Sequence, residues 1–297
     1  MTMATEQVTA NFFWHGPKLG LYERACLTSF VQSGLLTRLY AFDTDIIVPD
    51  GVVVMNASEY AQESEVFAYT QGGKKGSIAA FSDIFRYRLF QESPGWWFDT
   101  DIFCLQGSEV FRKLEQSSKG VLVGQQGHDD LNAAVLYISD TAVAKELEQQ
   151  AATRGYSFGW GDIGPNLVRQ YIKANPDRAT VVPPSRFYPI HFRQTDKFFL
   201  PDKKEECRAL VADAACVHLW NEILRIWKIP QNVMPCKDSY LHMLFSQTGV
   251  KVDPDATLPL TTYEPLSQIS QFGLSALKHI NAARHIKERL RAALSPR

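Results

Sequence analysis

Two aspartates one residue apart, Asp99 and Asp101, stand where an apolar run ends, in Gly95-Trp96-Trp97-Phe98-Asp99-Thr100-Asp101. At the mouth of a buried strand, mutual repulsion and desolvation make it costly to ionise both. A divalent cation removes that cost, and oxygen ligands suit Mg²⁺ or Mn²⁺ while leaving positions open for phosphate oxygens. An isolated Asp-x-Asp also occurs at solvated strand ends, so the neighbours decide its meaning. Upstream, Asp83 and Arg86 lie three apart and project from one flank of a helix, where they could clamp hydroxyl groups beside such a metal. The pentapeptide Phe-Asp-Thr-Asp-Ile occurs twice, at 42–46 and at 98–102. Only the second copy follows the Asp/Arg helix and the double tryptophan. The first runs into Pro49-Asp50-Gly51, an ordinary surface turn, so the metal is assigned to Asp99 and Asp101.

The elements that must hold these side chains follow from periodicity. Ser77 is read as an N-cap, and Ile78, Phe81, Phe85 and Leu89 form a core-facing helical stripe. Ser93-Pro94-Gly95 breaks the helix, and Trp96-Trp97-Phe98 is a strand. Strands are also expected over 11–16, 36–42, 52–54, 121–123 and 132–138, with helices over 21–31, 108–116 and 141–152. Such alternation suits a layered α/β sheet. At 297 residues the chain can form one large α/β domain. The expected division is a catalytic domain over 1–265 and a basic helical tail over 266–297.

Ser82-Asp83-Ile84-Phe85-Arg86 followed by Gly95-Trp96-Trp97-Phe98-Asp99-Thr100-Asp101 resembles the DXD-containing sugar-transferase family. That family includes bacterial polysaccharide glycosyltransferases, α1,4-galactosyltransferases, initiating mannosyltransferases and, distantly, the clostridial glucosylating toxins. The resemblance implies a GT-A fold, a nucleotide-diphosphate sugar donor, by preference UDP-linked, and hexose transfer with retention to a saccharide or glycolipid acceptor in bacterial surface polysaccharide synthesis. It implies that Asp99, Asp101 and His218 hold Mn²⁺ or Mg²⁺, with Asp99 also on the donor. Asp83 and Arg86 would grip the donor sugar, and Trp220 would reach the leaving diphosphate. Trp14, at the end of Phe12-Phe13-Trp14, matches a residue stacking on the uracil, and is equally readable as core. Asn132 matches a donor-sugar contact, although asparagine is also common turn chemistry. His218-Leu219-Trp220 matches the family's C-terminal motif, against the alternative of a core histidine. Relatives carry Gly-Pro before a helix, on the acceptor-facing side, where this chain has Gly164-Pro165; Asp162 just before it also reads as a plain helix N-cap. One departure is Pro94, where the family has glycine. Rival readings are a haloacid-dehalogenase-type phosphatase, poorly served by Ile102-Phe103, and a non-catalytic carbohydrate-binding protein.

Composition bounds the rest. Hydrophobic residues at 45% and charged residues at 21% are ordinary for a globular protein, and a net charge of −1 gives no nucleic-acid footprint. Five widely spaced cysteines without a C-x-x-C read as reduced thiols rather than a disulfide frame or a zinc site. With no apolar run of roughly 18–20 residues and no basic-then-apolar leader, a cytoplasmic protein is expected. Residues 271–297 carry Leu277, Ile280, Leu290 and Leu294 among six Lys/Arg. Such a helix suits peripheral contact with an anionic inner-membrane surface, a partner protein, or a plain solvated cap. Lys74 and Lys75 sit in a glycine-rich loop that could approach phosphates.

Overall fold

The computed structural model of the chain describes residues 7–70, 75–128, 130–154, 159–226, 229–251 and 257–263. Two units are present: Met1–Leu19, Glu23–Pro189 and Asp213–His218 make the first, and Gly20–Tyr22, Ile190–Ala212 and Leu219–Arg297 the second. In chain order the elements begin β1 (Thr9–Trp14), α1 (Leu21–Gln32), β2 (Leu36–Ala41), β3 (Val52–Asn56), α2 (Ala79–Glu92), β4 (Gly95–Phe98) and β5 (Ile102–Cys104). Next come α3 (Ser108–Ser117), β6 (Val121–Gln125), β7 (Leu131–Ile138), α4 (Thr141–Thr153), α5 (Pro165–Ala174), β8 (Ala179–Val182) and α6 (Pro184–Phe187). The chain continues with α7 (Lys204–Leu210), β9 (Cys216–His218), α8 (Asn221–Ile226) and α9 (Tyr240–Thr248).

In the first unit a seven-stranded sheet has the order β3-β2-β1-β4-β7-β6-β8, and β5 pairs with β9 in a separate ribbon. β3, β2, β1 and β4 are mutually parallel, and β7 then runs antiparallel to both β4 and β6. The continuous apolar run of β4 reflects burial on both faces, as expected for a central strand. Alternation sends Trp96 and Phe98 to one side, where Phe98 meets Phe12 and Phe30 at ring separations of 5.8 and 4.5 Å. It sends Trp97 to the other, toward Phe85 of α2, which packs on Phe13 at 4.6 Å. Trp96, Trp97 and Phe98 are all essentially inaccessible. Each contributes on the order of 1.5–3 kcal/mol of apolar burial to fixing the strand.

Helix α2 lies against that second face and packs along α4. Its buried set runs round most of the helix and includes the charged residues Asp83 and Arg86. The expected cap is corrected. The helix begins at Ala79, Ile78 is its N-cap without a side-chain bond, and the Ser77 hydroxyl reaches only the Ala79 N–H at 3.4 Å. The reason is that 76–77 are committed elsewhere: Gly76 N–H donates to Tyr69 O and Tyr69 N–H to Ser77 O. Gly76 takes φ +87°, and only beyond it does the chain enter the helix.

The second unit is built on α7, α8 and α9. Ser239 caps α9 by accepting from the His242 N–H, and Gly249 ends it at φ +69°. Phe199 stacks on Tyr263 at 4.4 Å, and Tyr22 meets Phe245 edge-on at 4.8 Å. Residues 264–297, with the expected basic tail, and residues 71–74, with Lys74, lie outside the described residues. Among the described residues no helix is long and apolar enough to cross a membrane. All five cysteines are free and buried.

Candidate active site

Strand direction gathers the site. β1 and β4 run parallel and β7 returns antiparallel, so Trp14 at the end of β1, Asp99 just past β4 and Asn132 near the start of β7 share one sheet edge. That is the carboxyl edge of the parallel strands, where open α/β sheets take their ligands. The ladder extends one rung beyond β4, with the Asp99 N–H donating to Ala134 O at 2.8 Å.

From Asp99 the chain turns sharply, Ile102 N–H donating to Asp99 O at 3.0 Å, and enters β5. The β5–β9 register sets Ile102 opposite His218, which brings the imidazole to the second aspartate. His218 Nε2 and Asp101 Oδ2 are 3.1 Å apart, with side chains only 10% and 13% exposed. The duplicate motif is different in kind. Asp43, Thr44 and Asp45 are exposed, and Asp43 Oδ1 accepts from the Asp45 N–H at 3.0 Å, a self-contained Asx turn.

Asp99 Oδ1 accepts from the Trp97 indole N–H at 2.8 Å. Burial pushes its carboxyl above the usual carboxylate range. The Arg86 guanidinium opposes that rise, the Asp101 charge adds to it, and the Trp97 hydrogen bond and His218 oppose it. Asp99 therefore lies within the electrostatic reach of Arg86, Asp101 and His218 together. Among the described residues no three His, Cys, Asp or Glu side chains are grouped to hold a metal. The donor set nonetheless fits a hard cation, since Mg²⁺ is ordinarily bound by one or two protein carboxylates plus waters and substrate phosphates. The His218 imidazole beside Asp101 adds a nitrogen donor of a kind that Mn²⁺ accepts.

Asp83 and Arg86 are 5% and 3% exposed. They form an ion pair with one another, Arg86 Nη1 also donates to Ala133 O in β7, and the guanidinium stands 5.4 Å over the Trp97 ring. A buried charged pair is tolerable only when satisfied in this way. The pair thus links α2, β4 and β7 behind the Asp99 edge. Asn132 is engaged locally: its Oδ1 accepts from the Ala134 N–H and its Nδ2 donates to Gln126, both at 2.8 Å. Trp14 packs over Gly16, which holds φ +153° and where a Cβ would sit 3.3 Å from the indole nitrogen. Trp14 Nε1 is buried without a hydrogen-bond partner among the described residues. Trp220 opens the second unit's C-terminal segment at φ +59°, a conformation rare for a bulky side chain, and its indole N–H donates to Ile190 O at 2.9 Å.

The reading of Asp162 as an N-cap is corrected. Gly164 caps α5, with proline at its first turn, while Asp162 Oδ2 accepts from the Gly159 N–H at 2.6 Å and so closes the preceding turn. Gly164 has a separate duty. Its α-carbon abuts the Asp83 carboxylate so closely that a Cβ would lie 2.7 Å from Asp83 Oδ1. Tyr188 was not singled out by the sequence. Its hydroxyl accepts from the Val135 N–H and donates to Asn132 O, both at 2.9 Å, across the start of β7. Gly124, at an irregularity in the β6–β7 pairing, admits the Tyr188 ring, which a Cβ would meet at 2.7 Å. No spacing pattern marks Tyr188; the only available signal was a glycine inside a strand.

Residues 157–245 match the family described as the α1,4-glycosyltransferase conserved region. Human lactosylceramide 4-α-galactosyltransferase is 27% identical over 157 residues, 49% of this chain and 42% of that one. The rat protein of the same name is 27% identical over 49% of this chain and 41% of its own. The chain thus spans less than half the length of these two relatives. Among solved structures, the apo form of the bifunctional glycosyltransferase WbbM superposes with a TM-score of 0.51 and 7% identity, covering 84% of this chain and 50% of that one. Part of the chain is thus similar to the α1,4-glycosyltransferases, and its fold is GT-A. The matched α1,4-glycosyltransferase region contains Gly164-Pro165, Tyr188 and His218-Leu219-Trp220. Asp83, Arg86, Asp99 and Asp101 precede that region.

Proposed function

We infer that the chain is a metal-dependent, retaining hexosyltransferase that uses a nucleotide-diphosphate sugar, most naturally UDP-linked. The acceptor is a saccharide or glycolipid, as the name of the human relative suggests, and the setting we infer is bacterial surface polysaccharide synthesis. One observation carries the reading: His218, 117 residues further along the chain, stands 3.1 Å from Asp101, in the same turn as Asp99 at the carboxyl end of a GT-A sheet's parallel strands. Asp101 and His218 would hold Mn²⁺ or Mg²⁺, with Asp99 joining them or facing the donor. The cation supplies charge neutralisation for the departing diphosphate, a large term in such reactions.

The remaining work falls to the chain. Trp14 offers an aromatic face at the mouth of β1 for the nucleobase, a contact worth about 1–3 kcal/mol by analogy with other base–aromatic stacking. Arg86 donates to, and Asp83 accepts from, hydroxyls of the donor sugar, which Asn132 orients. The indole N–H of Trp220 donates to the leaving diphosphate in exchange for Ile190 O. The bond from the sugar to the phosphate oxygen breaks on the face where the acceptor oxygen bonds, and the acceptor proton passes to that phosphate oxygen. No side chain is required as base.

A panel of UDP-, GDP- and TDP-sugars, assayed for hydrolysis with Mn²⁺ and again with EDTA, tests this reading. At least one UDP-hexose should turn over with Mn²⁺ and fall by 100-fold or more with EDTA, while the far-ultraviolet dichroism stays unchanged. Turnover that ignores EDTA, or no turnover of any nucleotide sugar, refutes it.

A further inference from the structure

The pairing of β6 with β7 is interrupted beside the site. Its register passes from Val123 opposite Leu136 directly to Gly124 opposite Asn132, so residues 133–135 of β7 have no partner on β6. A central strand cannot leave such groups bare, because an unpaired buried donor or acceptor costs more than a hydrogen bond returns. Tyr188, just past α6 and 1% exposed, fills the gap. Its hydroxyl donates to Asn132 O and accepts from the Val135 N–H, both at 2.9 Å. The carbonyls between them are taken by two other residues of the site, Ala133 O by Arg86 and Ala134 O by the Asp99 N–H. The Tyr188 ring also stands 5.9 Å from the His218 imidazole, at 58°.

We propose that Tyr188 is a positioning residue for donor-sugar transfer, its hydroxyl holding the start of β7 in the shape that aims Asn132. This rests on the glycosyltransferase reading and adds to it a residue that acts through another. The hydroxyl has one proton, and Asn132 O takes it, so Tyr188 is not placed as an acid. What it sets is direction. Side chains along a strand alternate between faces, so a one-residue slip of 133–135 toward β6 would turn Asn132 away from its present face. Both side-chain bonds of Asn132, to Gln126 and to the Ala134 N–H, lie at this same irregularity and depend on its shape. Irregularities of this kind re-aim side chains beside active sites. A displacement of about 1 Å near a reacting centre costs on the order of 100-fold in rate, so the effect belongs to turnover. The ring has a separate, steric duty. It occupies the room that Gly124 leaves and meets His218, and phenylalanine would do the same.

Tyr188→Phe in the full chain tests this, because it keeps the ring and removes the hydroxyl. The kcat for hydrolysis of the UDP-hexose that wild type turns over fastest should fall 30-fold or more with Mn²⁺. Calorimetric affinity for UDP with Mn²⁺ should stay within threefold of wild type. Deuterium uptake by the peptide covering 131–138 should rise in the same variant without any ligand. In an Asn132→Ala background the substitution should cost less than threefold further, since a residue that acts through Asn132 has nothing left to aim. Turnover by Tyr188→Phe within threefold of wild type overturns the proposal and leaves the donor reading standing. So does an equal loss with and without Asn132, a matching loss of UDP affinity, or a variant that does not fold, each of which makes Tyr188 scaffold. No turnover of any nucleotide sugar by wild type refutes the transferase reading itself, and with it this role.

Discussion

Arg86 carries two duties that a single substitution can separate. It balances Asp83 inside the protein and, through Ala133 O, ties α2 to β7 just behind the Asp99 edge. Lysine keeps the charge but loses the planar fork that makes two directed bonds at once. Arg86→Lys should therefore cost roughly 1–3 kcal/mol of stability, the range for leaving a buried acceptor unsatisfied, as read from a urea midpoint. Donor-sugar transfer should fall at least 100-fold while UDP affinity changes less than threefold, because UDP has no sugar for Arg86 to hold. Equal weakening of UDP and UDP-sugar binding would instead put Arg86 at the phosphates.

Among the elements, the turn that leads into α5 does more than connect. Gly164 packs its backbone on Asp83, so Gly164→Ala should displace the carboxylate, at a cost on the order of 1–3 kcal/mol for overpacking. Its effect should appear in kcat for transfer as well as in the melting curve; an alanine variant with wild-type stability and rate would mean that Asp83 moves freely. Element types were legible wherever periodicity was strong: the Phe81-Phe85-Leu89 stripe and the Trp96-Trp97-Phe98 run became α2 and β4. Element ends were less so. Ser77 and Asp162 have the right chemistry for caps, but their surroundings bind the backbone of one to Tyr69 and the side chain of the other to Gly159. Tyr188 and the Arg86–Ala133 bond were invisible because they depend on strands meeting across long stretches of chain, which no local pattern encodes.

For the whole molecule, the decisive ambiguity was the repeated pentapeptide, since its two copies are chemically identical and both follow a strand. The fold separates them by what lies opposite. β9 delivers His218 to Asp101, whereas Asp43 and Asp45 are exposed and, among the described residues, bonded within their own turn. This yields the most direct test of the account: calorimetric titration of Mn²⁺ into wild type, Asp101→Ala and Asp45→Ala, each saturated with UDP. Wild type and Asp45→Ala should take up one Mn²⁺ with equal affinity, and Asp101→Ala should lose at least 100-fold in affinity while remaining folded. Undiminished Mn²⁺ binding by Asp101→Ala, or its loss in Asp45→Ala, would contradict the placement of the site at the end of β4.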